Sequence, residues 1–367
     1  MPAAQTSPMS ESVQSSAEGP RPDLSVVLAT PYDFDSLRPV IGHLRRQTIR
    51  GRIEIVIVGS TPDRFVVDES VLDGFASFRV LYVGPIRSLN IPRAAGFRVA
   101  RAPLVALTED HCFPAAGWAE ALVEAHRGPW AAVGPNIAVA NPQRHIAWAN
   151  HLIQYGPWAQ TTPSGVHDDL PGHNSCYKRD VLLEFDQDLE TLFIAEARLF
   201  ADLRRRGHQL YTEANAVTYH VYITRLLPYW QENFHIGRQF ASNRSRGWSV
   251  ASRLFRAGAS PVVPGLRTWR IARRMRELGW FSDLMPRVLP SLWVGLAASA
   301  LGEMTGYLFG MGNSAAMTLD LDFCRFRFVS DDERRSIWSG KTVAFQPNPP
   351  RPTSRAVTAA LDSPRRQ

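Results

Sequence analysis

The sequence predicts an α/β protein whose central sheet is covered by helices on both faces. Four short apolar runs of strand length alternate with helical patterns in the first part of the chain, at residues 24–29, 53–58, 78–83 and 104–107. Each run is apolar on both faces, which is typical of parallel strands buried beneath helices. Helical patterns separate successive runs, as expected for strands joined by crossover connections.

Composition supports a large folded core. The chain has 367 residues, of which 45% are hydrophobic and ten are tryptophan. This apolar content excludes a disordered protein. Three cysteines without metal-type spacing suit a reducing compartment.

The remaining elements suggest one α/β domain followed by an extension. Helices are predicted at 118–126 and 190–206, and strands at 131–140 and 216–221. No export signal precedes the first strand. We therefore expect a disordered N-terminus (1–22), an α/β domain (23–222), a helical extension (223–330) and a tail (331–367) that is disordered from about residue 346.

The first candidate site residues follow the strands. In open α/β sheets, ligands bind beyond the carboxyl ends of the strands. That rule selects Thr30 after the first run and Gly59 and Ser60 after the second.

A stronger candidate is Thr108-Glu109-Asp110-His111, directly after the fourth run. Two acids and an imidazole at this position can hold a divalent cation that neutralises a departing diphosphate. The alternative is an acidic loop that caps the next helix.

Later segments add a carboxylate, a histidine and a polar turn. Glu196 interrupts an apolar helical stripe, so it is either a general base in a cleft or a buried salt-bridge partner. His220 closes a strand, and His173-Asn174 lies in a turn that could contact a sugar hydroxyl. Each of these also has a purely structural interpretation.

Taken in order, these features resemble the family 2 glycosyltransferases over about residues 22–245. Five stretches carry the resemblance: DLSVVLAT, RIEIVIVGSTPD, PRAAGFRVARAPLVALTEDHCFP, GHNSCYKRDVLLEF and EARLFADLRRRGHQLYTEANAVTYHV. The resemblance implies a GT-A fold with a Rossmann-like mixed sheet. It also implies inverting sugar transfer from a nucleotide-sugar donor to an acceptor hydroxyl, in cell-surface glycan or glycolipid synthesis.

The resemblance also assigns roles. Asp110 matches the aspartate that binds Mn²⁺ or Mg²⁺, with Glu109 and His111 beside it, and His220 matches a histidine near the metal. Glu196 matches the catalytic base, and Arg93 and Gly96 match residues near the donor. His173 and Asn174 fall on the acceptor side.

The chain departs from the family pattern at two positions. Gly59-Ser60-Thr61 replaces an aspartate pair that contacts the donor base, and Thr108 replaces the first aspartate of the metal loop. Asp33 and Asp35 are candidates to supply a missing carboxylate. A degenerate domain that binds a glycan or a lipid-linked sugar without catalysis is therefore the alternative function.

The extension contains an apolar segment at 289–311, with small residues at every fourth position from Ala298 and one acid, Glu303. Its length permits a single membrane span, but an interfacial helix or a packing helix also fits. A cluster of six arginines directly precedes this segment, which favours a membrane surface over nucleic acid. We therefore expect the protein at the cytoplasmic face of a membrane, with a glycan or lipid-linked acceptor and no nucleic-acid partner.

Overall fold

A computed structural model describes residues 13–15, 21–194, 196–323 and 325–338. The predicted tail beyond residue 346 lies outside these ranges, as does most of the predicted disordered N-terminus. Within the latter, Val13–Ser15 forms a strand that pairs with a strand of the main sheet. The start of the predicted tail is also ordered, because Asp331–Trp338 is a helix.

The described residues confirm an α/β fold with one mixed sheet of ten strands. The strands are β1 Val13–Ser15, β2 Leu24–Ala29, β3 Ile53–Gly59, β4 Ser77–Tyr82, β5 Leu104–Thr108, β6 Cys112–Pro114, β7 Ala132–Val139, β8 Gly165–His167, β9 Cys176–Lys178 and β10 Leu210–His220.

The sheet order is β1-β4-β3-β2-β5-β9-β7-β10-β6, with β8 paired to β10. The four strands predicted from apolar runs, β2 to β5, are mutually parallel where they pair. Beyond them β9 runs antiparallel to β5 and β7, which makes the sheet mixed.

Thirteen α-helices occur in the described residues. They are α1 Arg38–Leu44, α2 Asn90–Val99, α3 Trp118–Ala125, α4 His145–Gln154, α5 Arg179–Leu183, α6 Leu189–Leu192, α7 Glu196–Arg205, α8 Leu226–Arg244, α9 Val250–Ala259, α10 Val263–Glu277, α11 Phe281–Phe309, α12 Ser314–Phe323 and α13 Asp331–Trp338. The predicted helix at 190–206 is therefore two helices.

Burial on both faces of the sheet follows from strand alternation. In β2, Leu24, Val26 and Leu28 point into one apolar cluster, whereas Val27 and Ala29 point into the cluster on the other face. A third cluster joins α4 and Tyr222 to α10 and α11. The helical extension is thus packed against the end of the sheet.

Candidate functional site

The candidate site lies at the carboxyl end of β5. After Thr108 the chain turns, with the Cys112 amide donating to the Glu109 carbonyl over 3.1 Å. The next strand, β6, then runs antiparallel to β10, and its register sets Cys112 opposite His220. Strand pairing therefore carries His220 to residues that are about a hundred positions earlier in the chain.

Four side chains converge here: Glu109, His111, Cys112 and His220, hereafter the acid–histidine cluster. Their ligand atoms all lie within 4.8 Å of one another, and all four residues are buried. Glu109 Oε2 is the centre, at 3.4 Å from Cys112 Sγ, 3.6 Å from His111 Nε2 and 3.8 Å from His220 Nε2.

This geometry fits a divalent cation. Four ligands bonded at about 2.0–2.3 Å to one tetrahedral ion lie roughly 3.3–3.8 Å apart, which matches the spacing around Glu109 Oε2. His111 Nε2 is buried and has no hydrogen-bond partner. A buried imidazole nitrogen without a partner is costly unless a ligand satisfies it.

The electrostatics of Glu109 also suit a ligand. Arg93 Nη2 donates to its Oε1 over 3.2 Å, and Asn174 Nδ2 donates to its Oε2 over 3.1 Å. Burial alone would raise the pKa of Glu109, but the positive charge of the neighbouring imidazoles and of Arg93 outweighs it. The pKa therefore lies well below its ordinary value, so Glu109 is an anion inside the protein.

Asp110 is placed differently from the sequence prediction. It is not in the acid–histidine cluster: its Oδ1 lies 2.7 Å from His111 Nδ1, where it orients the imidazole. Its Oδ2 is buried without a hydrogen-bond partner. Burial raises the pKa of Asp110. Glu109 thus lies in the acid–histidine cluster, whereas Asp110 contacts one of its histidines and borders the adjoining cavity.

Glu196 reaches the same site through two side chains. It is the first residue of α7 and its side chain is 15% exposed. His173 Nδ1 lies 2.6 Å from both Glu196 Oε1 and Arg93 Nη1. The Nδ1 atom accepts a hydrogen bond from Arg93 when it is unprotonated, and a protonated His173 forms an ion pair with the Glu196 carboxylate.

The two partners of His173 shift the pKa of its imidazole in opposite directions. Burial lowers the pKa of this imidazole, but the Glu196 carboxylate outweighs burial and raises the pKa above its ordinary value. Gly172 lies beneath the carboxylate, since a Cβ there would be 2.1 Å from Glu196 Oε2. The apolar stripe predicted around Glu196 is correct for Leu199 and Leu203, whereas Leu192 lies on α6.

Asn174 lies beside the acid–histidine cluster. It is buried, donates to Glu109 and receives a hydrogen bond from Thr108 Oγ1 over 3.3 Å. Asn174 therefore supports Glu109, and Thr108 supports Asn174.

The other predicted residues have packing or turn roles. Gly96 allows α2 to approach the sheet, since a Cβ there would be 2.5 Å from Val27 Cγ1. Gly59 packs against the Phe65 ring, and the neighbouring Ser60 accepts from the Gly84 amide through its carbonyl. Thr30 Oγ1 accepts from the Tyr32 amide in the turn after β2. Asp33 caps a turn at Ser36, and Asp35 pairs with Arg38 at the surface.

A small cavity of no more than about 250 Å³ adjoins the acid–histidine cluster. Arg93, Asp110 and His111 line it, and the end of α12 covers it with Asp322 and Phe323. The Phe323 ring lies 6.1 Å from that of Tyr32 in an edge contact. The extension therefore closes over the site.

Sequence reasoning missed Cys112 and the α12 residues. The spacing of Glu109, His111 and Cys112 was a usable signal for Cys112, because a turn followed by a strand can aim all three inward. Nothing local marks Asp322 or Phe323, since they reach the site only when the extension packs back on the sheet.

No family model matches this chain, and no curated protein matches its sequence. Among 167 similar chains of solved structures is GalNAc-T7, solved with UDP, GalNAc and Mn²⁺. The superposition has a TM-score of 0.42 at 15% identity, and it covers 54% of this chain and 43% of that one.

Proposed function

We propose that this chain is a GT-A-type glycosyltransferase that moves a sugar from a nucleotide-sugar donor to an acceptor hydroxyl with inversion. One observation carries the proposal: Glu196, His173, Arg93 and Glu109 form an unbroken series of contacts. This series connects the partly exposed Glu196 carboxylate to the buried acid–histidine cluster, although its residues are up to 103 positions apart in the chain.

The chemistry divides between the two ends of this series. A cation held by Glu109, His111 and His220 would offset the charge of the departing diphosphate. Glu196 accepts the proton of the acceptor hydroxyl as the new oxygen–carbon bond forms. The bond from the anomeric carbon to the diphosphate oxygen breaks at the same time, and the nucleoside diphosphate leaves with that electron pair.

Arg93 is placed to assist the donor end. Its guanidinium borders the cavity and is held by Glu109 and His173. A guanidinium presents a planar set of donors that matches phosphate oxygens. The carboxylate of Glu109 suits Mn²⁺ or Mg²⁺, whereas the imidazoles of His111 and His220 and the thiol of Cys112 suit softer ions such as Zn²⁺, so metal assays should include all three ions.

Donor binding requires α12 to move. The cavity next to the acid–histidine cluster is smaller than the roughly 300–1,000 Å³ of typical ligand sites. Displacing Asp322 and Phe323 would open it towards Arg93 and Asp110. This closed cavity is the observation that favours the second candidate, a glycan- or lipid-linked-sugar-binding domain without catalysis.

The first experiment is a panel of nucleotide sugars with Mn²⁺ and purified protein. Donor hydrolysis or transfer supports the enzyme, and the anomeric configuration of the product, read by NMR, tests inversion. Binding of a lipid-linked sugar without turnover of any donor would instead support the binding domain.

The second experiment replaces the base. Glu196→Gln should lower kcat about 10²- to 10⁴-fold and leave the donor Kd unchanged, because the amide keeps the shape of the side chain. Glu190→Gln is the matched control, since Glu190 is half-exposed on the preceding helix and pairs with Arg98. Normal turnover of Glu196→Gln would refute the assignment of the base.

A further inference from the structure

The helical extension exposes an unusual amount of apolar surface. In the described residues, 15 of the 19 exposed large apolar side chains lie between positions 226 and 309. On α11 the exposed positions Leu289, Trp293, Ala297 and Leu301 recur at every fourth residue. Such spacing gives a continuous stripe along one face of a helix.

The opposite face of α11 is bound to the rest of the protein. Gly302 and Gly306 press against α8, because a Cβ at either position would lie within 2.4 Å of a carbonyl oxygen of α8. At about 100° per residue, these glycines lie on the other side of the helix from Trp293 and Ala297. The small residues in this segment thus serve packing within the chain, and half of its most apolar window is buried.

The carboxylate in this segment is also buried inside the protein. Glu303 is 8% exposed, and burial raises its pKa against the opposing charge of Arg267. Arg267 extends from α10 and donates to Ser299 Oγ on α11 over 3.0 Å. Glu303, Gly302 and Gly306 face neighbouring helices. Only the opposite side of α11 can therefore contact an external apolar phase.

Two helices that contact α11 also expose apolar side chains. Arg253 of α9 donates to the Tyr307 carbonyl of α11 over 2.7 Å, and α10 is held by Arg267. The apolar docking face, as we name it, comprises six exposed side chains on these helices: Leu254, Phe255, Leu266, Trp269, Trp293 and Leu301.

The charge of this region is strongly positive. Residues 244–309 contain ten arginines, no lysine and three acidic residues. Their formal charge of +7 equals that of the whole chain, so the rest of the protein is neutral overall. Arg256, Arg270, Arg273 and Arg276 are exposed on α9 and α10 beside the apolar side chains.

We propose that the apolar docking face binds the surface of an anionic lipid bilayer, with α11 lying in the interface rather than spanning the membrane. Apolar and tryptophan side chains next to exposed arginines match the boundary between acyl chains and negatively charged headgroups. Glu303 and the α8 contacts hold α11 to the protein. This inference does not depend on the proposed function.

Vesicle flotation of the full chain tests the proposal. We expect the protein to float with vesicles of phosphatidylcholine and phosphatidylglycerol, to bind pure phosphatidylcholine weakly, and to be released by high salt. Alkaline carbonate should extract it from membranes. Resistance to carbonate would overturn the interfacial placement, and absence of binding to either vesicle would overturn the membrane partner.

Variants separate the contributions of the arginines and of the apolar side chains to vesicle binding. Arg270→Gln should weaken binding to anionic vesicles about fivefold, and Trp293→Glu with Phe255→Glu should abolish it. Val166→Glu is the control, since Val166 is an exposed apolar residue of the sheet region. Circular dichroism confirms folding. Equal vesicle binding by the double variant and the control would refute the docking face. A dimer that forms at high protein concentration and dissociates in the double variant would also refute it, because the face would then bind a second copy of the chain.

Discussion

The sheet region and the helical extension use apolar residues in different ways. In the sheet region, residues 21–222, the strands are covered on both faces, and only Val66, Ile91, Val166 and Ile194 are large apolar side chains exposed to solvent. The extension, residues 226–338, packs one side of each long helix and leaves another side apolar and exposed. We propose that the sheet edge carries the chemistry and that the exposed apolar helices of the extension hold the protein at a membrane surface.

The two regions also differ in their buried carboxylates. Glu109 and Glu303 are both buried and both interact with an arginine. Glu109, however, lies among histidines, two of which, His111 and His220, each have a buried ring nitrogen without a hydrogen-bond partner. Glu303 instead lies in a helix interface near the positive charge of Arg267. We interpret Glu109 as a functional anion and Glu303 as a packing residue.

The largest expected effect tests that distinction. Glu109→Gln should lower activity by about 100-fold or more, because it removes the central ligand of the acid–histidine cluster. Mn²⁺ binding, measured by isothermal titration calorimetry, should be lost as well. Glu303→Gln should retain both properties. Equal activity of the two variants would remove the contrast between the regions.

The next effect concerns how closely the helices of the extension pack. Gly302→Ala should destabilise the protein by about 1–3 kcal/mol or more, because the new methyl group would meet the Phe234 carbonyl of α8 at 2.0 Å and backbone cannot yield. Gly258→Ala on α9 has open space around it and should stabilise by about 0.5–1 kcal/mol. Urea unfolding measures the free energy of unfolding of both variants. An unchanged free energy of unfolding in Gly302→Ala would mean that α11 is free to separate from α8.

The third effect, which is small near neutral pH, concerns pH at the junction between the regions. Burial lowers the pKa of His151 on α4 to about 3, whereas a histidine in an unfolded chain titrates near about 6.5. Between these pH values the unfolded chain binds a proton that the folded protein excludes. Stability should therefore fall as pH is lowered through this window, by up to about 1.4 kcal/mol per pH unit.

The free energy of unfolding at several pH values tests this expectation. His151→Asn should reduce the slope, whereas His145→Asn, at an exposed position of the same helix, should not. An unchanged slope in His151→Asn would show that this side of the junction is open to water.

Much of the candidate site could be predicted from sequence because it follows strand ends. Glu109, Asp110 and His111 come directly after a buried apolar run, and the carboxyl edge of such strands is where ligands bind. Their individual roles could not be predicted. The turn decides which of two adjacent buried carboxylates joins the acid–histidine cluster, and no local pattern in the sequence encodes that choice.

The apolar segment at 289–311 illustrates the same limit. Its length and its small residues are compatible with a membrane span, an interfacial helix and a packing helix. Only the contacts of Gly302 and Gly306 with α8 show that the small residues are used within the chain.

The sequence by itself determined the α/β class, the four parallel strands and the identity of most polar residues at the site, because burial periodicity and strand order are local properties. Tertiary structure decided the rest. Pairing of β6 with β10 assembled the acid–histidine cluster, His173 and Arg93 joined Glu196 to it, and the return of α12 closed the cavity. These contacts join residues far apart in the chain, and the free energy that selects them comes from packing the whole molecule rather than from any segment.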